Sequence, residues 1–170
     1  VYEDATTLAR QIRTRERSSV EVVAAYYDRI EQIDPIVNAI PTRLPREEAL
    51  ALAEAADART ARGDDLGPLH GLPIAIKDLQ ATAGMRTTMG SRILADWVPG
   101  LDAELVRRVR SAGALVIGKT NTPEFGGFTR TKTLVAGETR NPWQLDRISG
   151  ASSGGAGAAA AAHRPGVGRA

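Results

Sequence analysis

Cysteine is absent from the 170 residues, and with it go disulfides, thiol nucleophiles and thiolate zinc sites. Only His70 and His163 offer imidazole, which argues against a histidine-dependent triad and against a histidine-built metal centre, and no metal or cofactor is expected. Aromatics make up 4% of the chain and the formal net charge is +2. With basic residues scattered rather than gathered in a run, this excludes the stacking and charge expected of a nucleic-acid or membrane-surface partner. No apolar run approaches the roughly 20 residues that span a bilayer, and no basic region followed by an apolar core opens the sequence. A cytoplasmic location is the expectation.

What is present is enough for one core, with 42% hydrophobic and 25% charged residues. The first 66 residues read as helices. Asp4 or Thr6 can cap a short helix through Leu8 and Ile12, and Ser18 or Ser19 a longer one. In the longer helix Val20, Val23, Tyr26 or Tyr27, Ile30 and Ile33 recur at three- and four-residue steps, and Pro35 is expected to stop it. Ile36 to Ile40 is read as a short extended segment. Arg46 to Arg62 is rich in Ala, Leu and Glu and ends at Gly63, predicting a third helix.

The composition changes at Gly67. A turn-rich entry leads to the apolar run Ile74-Ala75-Ile76, of strand type, ended by Lys77 and Asp78. A lysine directly after a buried run either turns to solvent or is held inside with its pKa lowered, where it can act as a base. Thr82 to Gly90 reads as a loop. Leu101 to Ala112 reads as a helix with Leu105, Val109 and Ala112 inward, and Ala114 to Ile117 as a second buried strand. Strand, helix and strand make a β-α-β unit, implying a mixed or parallel sheet with sites at the carboxyl ends of strands, where Lys77 and Lys119 fall. Gly113 to Thr120 also satisfies the phosphate-loop pattern G-x-x-x-x-G-K-[ST]. Its four variable residues are an apolar strand and not a loop, however, so nucleotide binding is the least favoured reading. Trp143, in a polar turn, is expected to anchor that turn on the core.

Ser149 to Gly157 places two adjacent serines among glycines and alanines, which alone fits a flexible linker or a backbone bed for a reacting group. Four stretches in order decide more: Gly71-Leu72-Pro73-Ile74-Ala75-Ile76-Lys77-Asp78, Gly118-Lys119-Thr120-Asn121-Thr122-Pro123-Glu124-Phe125-Gly126, Thr139-Arg140-Asn141-Pro142-Trp143 and Gly150-Ala151-Ser152-Ser153-Gly154-Gly155. Together they resemble the amidase signature family of serine hydrolases, from about Asp4 to Ala162. The resemblance implies an α/β fold: the N-terminal part of an α/β/α sandwich with a mixed sheet covered by helices, cut short. Residues 1–66 would be its N-terminal helical segment and 67–162 the start of its α/β core.

The resemblance also implies a Ser-cisSer-Lys mechanism for hydrolysing a linear carboxylic amide of a small molecule, with Lys77 as general base, Ser152 as the bridging serine on a cis peptide bond and Ser153 in support. Gly126 and Gly127 would lie near the substrate. Ala151 stands where the family has glycine, so its methyl is expected to crowd the turn, and Ala156 stands where the family has serine. The family's acylated serine lies some two dozen residues beyond the bridging serine, which would fall past Ala170. Residues 163–170, broken by Pro165, do not resemble the family. The expectation is a truncated or frame-shifted amidase, inactive alone and self-associating through an exposed sheet edge; a non-catalytic, binding-only remnant is the alternative.

Overall fold

A computed structural model describes residues 3–162, so the expectation for the 163–170 tail lies outside the described residues. The chain runs α1 (Ala5–Arg13), α2 (Ser19–Val37), β1 (Thr42–Arg43), α3 (Arg46–Arg62), β2 (Pro73–Lys77), α4 (Glu104–Ser111), β3 (Leu115–Thr120), β4 (Lys132–Thr133), β5 (Gly137–Glu138), β6 (Arg140–Asn141), β7 (Gln144–Ile148) and α5 (Gly154–Ala162).

Local chemistry sets the helix ends. Asp4 caps α1 by accepting from the Thr6 and Thr7 amides. Ser18 caps α2 in a reciprocal box with Glu21. Gly63 closes α3 in the left-handed conformation.

Pro35 does not stop α2. It sits in the last turn, where its missing N–H removes a single intrahelical bond, and the helix continues to Val37. The helix ends instead at Asn38, left-handed at φ 55°. Ile36 and Val37 are therefore helical and Asn38 left-handed, and the strand falls after Pro41, as β1. Asp34 fixes this exit: its carboxylate accepts from the Ala39 amide at 2.7 Å and the Ile40 amide at 3.1 Å, and pairs with Arg43 at 2.5 Å.

The central sheet has the order β1-β3-β2, with β1 antiparallel and β2 parallel to β3. The β-α-β unit is thus present and the sheet is mixed. Its crossover helix is shorter than expected, and it turns differently: Val106 is its buried residue while Leu105 is exposed, so the inward face is Ala103, Val106 and Val109. One side of the sheet packs on α2, α3 and α5 through Val23, Tyr27, Ile30, Ala53, Ile117 and Ala158. The other side carries Ile76, Met85, Val106 and Val116.

A register shift gives β3 one extra residue, since Ile74 pairs with Val116 but Ala75 with Gly118. Ile117 faces the α2/α3/α5 side, as Leu115 does, while the shift turns Lys119, two residues on, to the opposite side, toward the loop that carries Met85. Two short antiparallel ribbons, β4-β5 and β6-β7, follow. Trp143 lies between β6 and β7 and is 61% exposed, so it does not anchor its turn in the core. The carbonyl of Ala162, the last residue of α5, is held by the Arg29 guanidinium of α2.

Candidate active site

Lys77 is the last residue of β2, paired with Thr120 at the carboxyl end of β3. α5 begins just beyond that end. Its first turn lies against β3 because it has no side chains: a Cβ on Gly155 would fall 2.4 Å from the Asn121 nitrogen, and one on Gly154 2.3 Å from Thr131 Oγ1. This contact carries the preceding Ser149–Ser153 loop to the strand ends. Within the loop the peptide bond between Ala151 and Ser152 is cis. Lys77 Nζ donates to Ser152 Oγ at 2.7 Å and to Ser153 Oγ at 3.0 Å. The Thr122 hydroxyl donates to the Ser152 carbonyl, and the Thr131 hydroxyl to that of Gly150.

Partial burial of the Lys77 amine lowers its pKa, because desolvation disfavours the ammonium form. A lysine with an accessible lone pair, touching a hydroxyl that both donates and accepts, can take a proton through that hydroxyl from a third group. The structure thus brings Lys77, Ser152 and Ser153 together. It does not place Gly126 and Gly127 in hydrogen-bond contact with them. That turn reaches the neighbourhood by packing: Gly126, at φ +73°, lies where a Cβ would be 2.8 Å from Leu79, and the Phe125 amide donates to the Met89 carbonyl. Ala151, which stands in this loop beside the cis bond, is exposed.

Lys119 behaves differently from a phosphate-loop lysine. Its side chain is fully buried, and its Nζ donates to the Gln80 carbonyl at 2.5 Å, Thr82 Oγ1 at 2.8 Å and Thr87 Oγ1 at 2.9 Å, with Asp78 at 3.8 Å. Those partners consume its donors, and the residues from Leu115 to Thr120 are strand, leaving no cradle for a phosphate. Burial brings the Lys119 pKa down to about 8 and pushes Asp78 up.

Thr82, Thr87 and Thr88, all buried here, belong to a stretch that reads from sequence only as a loop. The usable signal was the pairing of several threonines with a lysine inside an apolar strand, since a buried ammonium needs acceptors. Among the described residues no cluster of three or more His, Cys, Asp or Glu could hold a metal ion, and no helix is long and apolar enough to cross a membrane.

The sequence pattern of the Amidase family matches residues 21–168. This chain belongs to the amidase signature family. A glutamyl-tRNA(Gln) amidotransferase subunit of Acidothermus cellulolyticus is 49% identical over 158 residues, covering 93% of this chain and 31% of that protein. Among solved structures, a chain of a vestigial protein complex that bears on the origins of an s-triazine catabolic enzyme superposes with a TM-score of 0.87 at 38% identity. The match covers 94% of this chain and 35% of that one. The 6-aminohexanoate cyclic dimer hydrolase, solved with its substrate, gives 0.83 at 36% identity, covering 94% and 32%. The fold is therefore the N-terminal part of the amidase signature fold, and the chain spans about a third of the length of the family members it matches.

Proposed function

We propose that these residues supply the proton-relay part of an amide-cleaving site. The 2.7 Å contact between Lys77 Nζ and Ser152 Oγ carries this reading. In it, neutral Lys77 is the general base and Ser152 passes the proton of an attacking serine to it. Ser153 holds the amine in place, and the Gly126–Gly127 turn borders the substrate. The attacking serine would come from the part of the family fold outside the described residues. It would form an acyl ester with the substrate's carbonyl carbon, and the proton stored on Lys77 would return to the leaving nitrogen.

The substrate class is a carboxylic amide. The similarity to a 6-aminohexanoate cyclic dimer hydrolase supports a class wider than linear amides. A second reading, supported by 49% identity to a component of an amidotransferase, passes the released nitrogen to a partner protein instead of to solvent.

The test joins residues 1–162 to the C-terminal two-thirds of the Acidothermus relative and assays release of product from an activated anilide. A burst that Lys77→Ala abolishes is expected, while the 170-residue chain alone gives none. A burst from the 170-residue chain that survives Lys77→Ala would place the chemistry elsewhere and sink this reading.

A further inference from the structure

We propose that Lys119 is the positioning residue for Lys77, acting through the 78–90 loop. The two lysines sit on neighbouring parallel strands, and the loop that leaves β2 at Lys77 folds back over Lys119. Lys119 Nζ donates to the Gln80 carbonyl, and the Gln80 amide donates to the Lys77 carbonyl at 3.0 Å, so one residue links the two. The Asp78 amide is tied to the Thr120 carbonyl. The Asp78 carboxylate accepts from the Thr88 amide and, at 2.5 Å, from its hydroxyl.

The far end of the loop is fixed as well. The Met89 carbonyl receives the Phe125 amide, and Gly90 lies so close to Pro123 and Glu124 that a Cβ there would be 3.0 Å from their backbone. Lys119 therefore sits between the end of β2 that aims Lys77 at Ser152 and the 123–127 turn.

A role in packing alone does not explain a buried ammonium. Its desolvation is costly, and a methionine of similar volume fills such a space without that cost. What the ammonium adds is direction: three acceptors, one carbonyl and two hydroxyls, held in one arrangement. The meaning of this for catalysis rests on the amide-cleaving reading above. The positioning itself can be measured without substrate.

The experiment follows the Lys77 side chain of the 170-residue protein by NMR, with lysines carbon-labelled at Cε and titrated between pH 6 and 12. In Lys119→Met the Lys77 midpoint is expected to rise toward that of a free lysine by about half a unit or more, as the amine loosens into solvent. Removing Lys119 also removes its charge wherever that lysine is still protonated, which raises the midpoint too, so Thr82→Val and Thr87→Val are measured alongside. They keep the lysine and each delete one acceptor, and an upward shift in them comes from position. They also serve if Lys119→Met does not fold. Threonine variants that fold with an unmoved Lys77 midpoint and unchanged amide exchange across residues 79–90 overturn the proposal. A shifted midpoint together with an inactive fusion protein would reject the amide-cleaving reading and leave the positioning intact.

Discussion

Lys77 and Ser152 are 75 positions apart in the chain, yet their side chains meet at 2.7 Å because Gly155 rests on the backbone of Asn121. The Gly155 amide donates to the Asn121 carbonyl, and the Asn121 amide to that of Ala39, so α5, β3 and the exit of α2 are joined in one row. A methyl at Gly155 would fall 2.4 to 2.9 Å from Asn121 nitrogen, oxygen and Cα, none of which is a flexible side-chain end. Gly155→Ala is expected to cost about 1–3 kcal/mol in urea unfolding and to separate Ser152 from Lys77. Unchanged stability would show that α5 shifts without strain.

Asp34 makes a second prediction. Its carboxylate is nearly buried and serves two backbone amides and one guanidinium at the point where α2 ends and β1 begins. Asp34→Ala leaves the Ala39 and Ile40 amides without an acceptor in the interior. The expected loss is about 2–3 kcal/mol. Asp34→Asn keeps one acceptor oxygen and should recover part of it. Equal losses in the two variants would assign the effect to charge alone.

The parts of this fold legible in the sequence are those fixed within a few residues. The caps at Asp4, Ser18 and Gly63 follow from side chains and backbone angles beside them, and the two strands with their crossover follow from apolar spacing. Pro35 misleads because a proline in the last helical turn removes so little. Leu105 misleads because a two-turn helix offers two similar stripes, and packing on Met85 and Val116 selects the one with Val106.

The candidate site was legible only through the order of separated motifs. No local rule brings Ser152 to Lys77, and nothing local shows Lys119 bonded to a loop some 35 residues earlier. The register shift that turns Lys119 toward that loop arises in pairing with β2, which the sequence of β3 does not contain.

The pH dependence of the fused enzyme should report Lys77. Burial lowers its pKa below the ordinary 10.5, so the neutral, proton-accepting form appears at a lower pH than in a free lysine. kcat/KM is expected to rise with pH along a limb whose midpoint lies below 10.5. Ser153→Ala removes the 3.0 Å acceptor of the ammonium and should move that midpoint further down, since the charged form loses a partner. A midpoint that stays in place in Ser153→Ala would remove Ser153 from the network.

His70 gives the fold an acid limit. The ring is buried between α3 and the entry to β2, with Nε2 3.0 Å from Thr60 Oγ1 and 3.1 Å from the Ala56 carbonyl, and with Nδ1 buried and unpartnered. Burial is the main cause that lowers its pKa; Arg59 and Arg13 add to it, while the Ala56 carbonyl and Asp57 oppose it. A histidine whose folded pKa lies below its unfolded value of 6.5 binds protons more readily when unfolded. Stability is therefore constant above about pH 6.5 with respect to this group, and is lost as pH falls from there through the folded pKa. Urea midpoints at pH 7.5 and 5.5 measure it: the native chain should lose stability over that interval, and His70→Gln, which does not titrate there, should lose less. An equal loss in both would assign the acid sensitivity to the carboxylates instead.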